Sequence, residues 1–375
     1  MNARALFWMS SILAAAAIAS PAPPFVYQDQ DEQWSLSLNG EWKFKFGVTE
    51  ADFILPSYDD SSWKNLRVPG NWELAGFEQL RFIKPGVGVG LYRRDFAIPR
   101  QWANRRIMLR FEGVSWGFEF WINGRRGGSH EIPYCRSEFD VTELVQLDAR
   151  NHLAVRVYRQ YRGLEFDIHD GWALSGIFRD VLLLSVPDPC IADLTTTTVV
   201  AQDGASARVQ LNAIVRRVAD RGAVRGELSA TLRDAAGRVV ASATRPVAFS
   251  GNNDAQVTLE AGVSAPRLWS AEAPELYEWL VALDLGGSTT HAVRQAIGIR
   301  QVSTDNGVLK LNHRPIKIRG VNYDELHPDV GRALREKHFV RDIELMKRAN
   351  INAVRFAYAP PHPVFLDLCD RHGIY

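Results

Sequence analysis

Side chains able to do chemistry gather near the C-terminal end of this 375-residue chain, in two short segments. The first, RGVNYDELHPDVGRAL, carries Asn322, Tyr323, Asp324, Glu325 and His327; the second, VRFAYAPPHP, carries Arg355, Tyr358 and His362. Asp324 and Glu325 invite a reading as paired carboxylates. A pair acting on one glycosidic bond must flank it with carboxyl groups about 5 to 9.5 Å apart. Neighbours in an extended segment point opposite ways, so these two read as rim or supporting groups. Asn322 and Arg355 are the residues the pattern favours, and each has a bland alternative as a soluble loop residue or an ordinary ion-pair partner.

Other chemistries lack their residues. There is no Gly-x-Ser-x-Gly elbow, no His-Glu-x-x-His, no phosphate-binding loop and no Cys-x-x-Cys. Cys135, Cys190 and Cys369 are scattered and read as core. GVGVG at 86–90 is a turn among strands, without the following helix that a phosphate site needs. With 44 Lys and Arg against 43 Asp and Glu, the net charge of +1 leaves no footprint for nucleic acid. Eleven tryptophans suit either stacking on sugar rings or the core of a sandwich.

The two segments belong to a stretch with its own rhythm. From about 301, RPIKIRGVN reads as a strand, REKHFVRDIELMKRAN as a helix, INAVRFA as a strand and HPVFLDLCDRHG as a second helix, with a third strand starting at Ile374. Alternating strand and helix predicts a parallel α/β unit, whose reactive groups lie on loops after the strands. Two units and a stub cannot close a barrel of eight strands. Residues 301–375 are therefore expected to form the start of an incomplete (β/α)8 barrel.

Residues 35–187 show short alternating runs such as WSLSLNGEWKFKF, GLYRRDFAIP and FEFWINGRRGG, broken by Asn-Gly and Gly-Gly turn signals. They predict antiparallel strands in a jelly-roll sandwich. Residues 188–300 predict a smaller immunoglobulin-like sandwich with a spacer's composition. Residues 1–19, with Arg4, an apolar run and Ala17-x-Ala19, read as a secretory signal peptide, followed by a linker over 20–34. The apolar run is too short for a membrane span. An exported, periplasmic or secreted protein is expected.

From about Ser35 onward the chain resembles the glycoside hydrolase family 2 enzymes, the group of β-galactosidases and β-glucuronidases. The resemblance rests on LNGEWKF, VPGNWE, YRRDFAIP, WINGRRGG, SEFDVTEL, WALSGIFRDV, LWSAEAPELY, RPIKIRGVN, DIELMKRANINAVR and LCDRHGIY, in order across three domains. SEFDVT and SGIFRDV lean toward the β-galactosidase branch. The resemblance implies a retaining exo-β-glycosidase acting on terminal β-linked sugars, with a catalytic acid/base after barrel strand 4 and a nucleophile after strand 7, both beyond Tyr375. The chain by itself is then expected to be inactive. By the same resemblance Asn71 and Asp170 of the first domain reach the terminal sugar, Asp170 also binds sodium, and Asn322, Glu325 and Arg355 contact the substrate or shape its pocket. Magnesium is implied for the family as well, and the full-length protein admits a homo-oligomer. Asp324 and Tyr358 depart from the pattern: the β-galactosidases carry His at both positions, which puts galactose specificity in question. Both can still hydrogen-bond sugar hydroxyls. The competing readings are another family 2 specificity such as a β-glucuronidase, a non-catalytic carbohydrate-binding remnant, and a structural adhesion module.

Overall fold

A computed structural model describes residues 32–47, 50–161, 163–218, 224–249 and 254–375. The expected signal peptide and most of the expected linker lie outside the described residues. Among the described residues, the first sandwich has a six-stranded antiparallel sheet in the order Lys64–Val68, Gly40–Phe46, Val89–Ala97, Arg150–Tyr158, Gly117–Ile122, Arg125–His130. Facing it is a four-stranded sheet, Ser35–Ser37, Val181–Val186, Arg106–Phe111, Ser137–Asp140. Alternation sets the layers: in Gly40–Phe46, Trp42 and Phe44 are buried while Glu41 points to water. The core between the sheets is aromatic, with Trp42, Phe44, Trp72, Tyr92, Phe111, Phe118 and Phe120.

The turn signals divide. Asn123 and Gly124, at φ 52° and 79°, make the two-residue hairpin that Asn-Gly predicts. Gly286 and Gly287, at 62° and 86°, make another in the second sandwich. Gly127–Gly128 is not a turn but lies inside the strand Arg125–His130. A Cβ there would sit 2.1 Å from the Phe120 ring or 2.6 Å from Phe139, so these glycines let the aromatic core approach the backbone.

The second sandwich pairs a three-stranded sheet, Cys190–Val200, Ser206–Arg216 and Asp254–Ser264, with a four-stranded one, Val239–Phe249, Val224–Arg233, Tyr277–Leu285 and Ser288–Ile297. Ile191, Leu211, Val215, Leu228, Trp279 and Leu283 are among its buried residues.

The last segment begins with a small antiparallel sheet, Val302–Asp305, Val308–Leu311 and Arg314–Pro315. The strand expected over RPIKIRGVN is thus split, and only Gly320–Tyr323 pairs in parallel with Ala353–Phe356. The helix Glu336–Arg348 buries Phe339, Ile343 and Met346, one stripe at helical spacing, against the helix Pro363–His372. The second helix starts on Pro363 and ends on Gly373 at φ 70°, the positions where each residue's backbone fits. Tyr375 then runs beside the second strand: its N–H donates to Asn352 O at 2.7 Å and its carbonyl accepts from Val354 N at 2.9 Å. Ile374 is buried.

Candidate functional site

The loops that follow the two parallel strands are gripped by the first sandwich. Arg179, from the SGIFRD stretch, is 4% exposed and donates through Nη2 to Glu325 Oε2 at 2.8 Å and to Pro360 O at 2.8 Å. Its Nη1 donates to Tyr134 O at 3.3 Å. The other carboxylate oxygen of Glu325 accepts from the His362 backbone N–H at 2.5 Å. One guanidinium therefore ties the first sandwich to both strand-end loops, and the buried carboxylate has partners on both oxygens.

His362 heads the second helix, its Nδ1 accepting from Val364 N at 3.2 Å. Burial, and then the Arg179 charge, depress its pKa to about 4, so the ring is neutral, as an accepting Nδ1 requires.

A second clasp centres on Arg332, 2% exposed. Its backbone N–H donates to Asn71 Oδ1 at 2.9 Å, its Nη1 to Asp324 Oδ1 at 2.9 Å and its Nη2 to His169 Nε2 at 3.1 Å, and its guanidinium lies 5.1 Å from the Tyr134 ring centre. Accepting at Nε2 places the His169 proton on Nδ1. Burial and then Arg332 lower the pKa of His169, which favours this neutral form. Tyr358 stacks on His169 with ring centres 4.6 Å apart and 19° between planes, from a backbone at φ 69°.

The VPGNWE loop is fixed from beneath. Asn71 Nδ2 donates to Ser175 O at 3.1 Å, Ser175 N donates to Glu73 Oε2 at 3.0 Å, and Arg159 Nε donates to Ser175 Oγ at 2.8 Å. Arg159, fully buried, also pairs with Glu73 and Glu78. Burial raises the Glu73 carboxyl above its ordinary range, while Ser175 and Arg159 pull the other way.

The sequence candidates consequently fall into three groups. Asn322 and Arg355 are register partners across the parallel strands, both exposed, with Arg355 Nη1 donating to Asn322 Oδ1 at 3.3 Å. Asp324 and Tyr358 are brought together through Arg332 and His169; the Asp324 side chain stays 28% exposed, with Oδ1 taken by Arg332. Asn71 and Glu325, expected at the sugar, are 3% and 7% exposed, with their side chains committed to the seam. Asp170 is exposed beside His169. Trp172, two residues on, is 40% exposed with its ring set edge-on to Phe82.

Sequence reading passed over Arg179, Arg332, His169 and Tyr134. Arg179 and Arg332 lie within the stretches SGIFRD and DVGRAL, but a buried arginine shows no pattern until its partners are known. For the implied ions, Asp170 offers one carboxylate. Among the described residues no three His, Cys, Asp or Glu side chains gather within metal-holding reach. No step below passes through an ion.

Three family descriptions match the chain in order: "Glycosyl hydrolases family 2, sugar binding domain" over 36–187, "Glycosyl hydrolases family 2" over 190–300 and "Glycosyl hydrolases family 2, TIM barrel domain" over 302–375. A beta-galactosidase of Vibrio cholerae is 34% identical over 363 residues, covering 90% of this chain and 35% of that protein. One of Psychromonas ingrahamii is 32% identical over 369 residues, covering 92% and 35%. The chain thus spans about a third of the length of these relatives. Among solved structures, Bacteroides uniformis beta-glucuronidase 2 superposes with a TM-score of 0.80 at 25% identity, covering 91% of this chain and 41% of that one. A family 2 member from Bacteroides cellulosilyticus also gives 0.80 at 25%, covering 91% and 47%.

Proposed function

The chain belongs to glycosyl hydrolase family 2, and on that premise we propose that it forms the sugar-gripping part of a retaining exo-β-glycosidase, β-galactosidase-like, that removes terminal β-linked sugars. The observation that carries this reading is the pairing of Asn322 with Arg355 at the ends of the two parallel strands, where such barrels place their reactive groups. A retaining enzyme needs two carboxylates about 5 to 5.5 Å apart, one a nucleophile and one an acid/base. On this reading those glutamates follow barrel strands 4 and 7 of the whole enzyme, and this chain supplies strands 1 and 2.

The chain's own residues bind and orient. Arg355 and Asn322 hold each other through one long hydrogen bond, which a sugar hydroxyl can replace on either side. Asp324 keeps one carboxylate oxygen free of Arg332 as an acceptor. Arg179 and Arg332 hold the loops so that these groups need not be ordered when substrate arrives. The expected leader would carry the enzyme out of the cytoplasm.

A second reading, another family 2 specificity such as a glucuronidase, draws support from Asp324 and Tyr358, which stand where the resemblance puts His. An anionic sugar would meet the Asp324 carboxylate, which Arg332 already pairs, and the Arg355 guanidinium, an exposed cation at the same strand ends. Titrating the protein with methyl β-galactoside and methyl β-glucuronide separates the two: tighter binding of the galactoside is expected, and tighter binding of the glucuronide would replace the first reading by the second.

A further inference from the structure

The chain holds three Asn-Gly pairs, Asn39-Gly40, Asn123-Gly124 and Asn306-Gly307. Asparagine is among the thermally labile residues, and it is most labile before glycine, whose backbone nitrogen has no neighbouring Cβ to hinder it. We propose that Asn306 is a site of self-modification in this protein: its side-chain amide is hydrolysed through a succinimide to aspartate or isoaspartate, while the fold protects Asn39 and Asn123.

The step balances with water alone. The Gly307 nitrogen, its proton passed to hydroxide, attacks Asn306 Cγ; an N–C bond forms, the Cγ–Nδ2 bond breaks and Nδ2 leaves as ammonia, closing a succinimide. Water then adds to either ring carbonyl and opens the ring to aspartate or isoaspartate. The sum is amide plus water giving carboxylate plus ammonium, with nothing oxidised or reduced.

Asn123 and Asn306 form a matched pair. Each opens a two-residue hairpin turn, with Ile122 opposite Arg125 and Asp305 opposite Val308. The backbones agree, at φ 52° and 79° for Asn123-Gly124 against 50° and 76° for Asn306-Gly307. The hold on the side chain differs. Asn123 Nδ2 donates to Leu144 O at 3.0 Å and to Asn151 Oδ1 at 2.9 Å, and its Oδ1 accepts from His152 N at 2.9 Å. Its amide cannot swing onto Gly124 N without giving up these bonds. Asn39 is held likewise, Nδ2 donating to Asp180 Oδ1 at 2.9 Å and Oδ1 accepting from Val181 N at 3.1 Å. Asn306 and Gly307 are exposed, and among the described residues neither the Asn306 amide nor the Gly307 N–H has a hydrogen-bond partner. The surroundings point the same way: a Cβ on Gly124 would lie 3.6 Å from Leu55 Cδ2, whereas one on Gly307 would meet nothing within 4 Å.

The product changes the hairpin of Val302–Asp305 and Val308–Leu311. A carboxylate at position 306 stands beside Asp305, whose Oδ2 already accepts from Lys310 Nζ at 2.7 Å. Isoaspartate also lengthens the main chain by a methylene, which a two-residue turn cannot absorb while Asp305 stays opposite Val308. The modified hairpin therefore carries an added charge and a broken register.

The experiment incubates the folded 375-residue chain at mildly alkaline pH, digests samples at acidic pH and follows the Asn-Gly peptides by mass spectrometry, with ammonia release measured in parallel. Asn306 should convert at least about tenfold faster than Asn123 or Asn39, because freeing either of those breaks hydrogen bonds that Asn306 does not make. In the urea-unfolded chain all of them should convert at the same rate, since only the shared dipeptide remains. Asn306→Gln should abolish the fast ammonia release, because the longer side chain closes its ring far more slowly. Equal conversion of Asn306 and Asn123 in the folded chain, or an Asn306 that stays intact while the unfolded chain reacts, overturns the proposal. So does a preference for Asn306 that persists in urea, or fast ammonia release that survives Asn306→Gln.

Discussion

Arg179 and Glu325, 146 residues apart in sequence, meet at 2.8 Å with side chains 4% and 8% exposed, and their contact joins the first sandwich to the first barrel loop. Breaking a buried pair by removing one partner leaves a charge without compensation and costs about 3–5 kcal/mol. Arg179→Met and Glu325→Leu should each destabilise the chain by about that amount in urea unfolding. The double variant should recover most of the loss, because it leaves no unpaired charge. Single and double losses that simply add would show that the pair is not coupled.

The neutral His362 ring makes stability depend on pH. Its folded pKa is about 4 against an ordinary value of 6.5. Between these values the unfolded chain binds the extra proton, so stability is fully present above about pH 6.5 and falls as pH drops toward about 4, by roughly 3 kcal/mol. Comparing unfolding curves of the wild type and His362→Asn across pH 4–7 should show this slope in the wild type and its loss in the variant. Other depressed histidines, such as His130 and His152, remain in both proteins and cancel in the difference.

Arg332→Ala should raise the pKa of His169, since the Arg332 charge is one of the causes that lower it. An NMR titration of the His169 ring reads this directly. The same change frees Asp324 and the stacked Tyr358, and glycoside binding should weaken by about tenfold. An unchanged His169 titration would remove Arg332 from its place in the clasp.

Gly331 sits at φ 58° with Asn71, Leu174 and Leu74 packed on it. Gly331→Ala adds both a strained backbone, of order 1–3 kcal/mol, and a collision with Asn71 Oδ1. A loss of unfolding free energy of at least that size, seen as a lower denaturant midpoint with the slope unchanged, is expected. A Gly331→Ala protein as stable as the wild type would mean that the turn has room.

Much of this was legible in the sequence, for local reasons. Alternation announced the sandwich strands, Pro363 and Gly373 bracketed the last helix, and Asn123-Gly124 made its turn. What misled was composition without context: Gly127–Gly128 looks like a turn and is a packing site, because nothing local reveals that Phe120 and Phe139 need the space. The strand expected over RPIKIRGVN divides because Arg314–Pro315 pairs back on Val308–Leu311.

In the site, strand ends exposed Asn322 and Arg355 to sequence reading, since position along a parallel strand is a local property. The clasps were not legible. Arg179 meets Glu325 across 146 residues and Arg332 meets His169 across 163, and no spacing in the chain records either contact. Asn71 and Glu325 are placed at the sugar by the family resemblance alone, and the seam contacts of their polar atoms have no local signal either.

The most direct test of the account is a titration of the isotope-labelled 375-residue chain with methyl β-galactoside, followed by NMR, alongside an assay of nitrophenyl β-galactoside hydrolysis. Saturable shifts are expected at Asn322, Arg355 and Asp170, weakened about tenfold by Arg355→Ala, with no hydrolysis. Binding unaffected by Arg355→Ala, or turnover by this chain that a substitution within it abolishes, would contradict it.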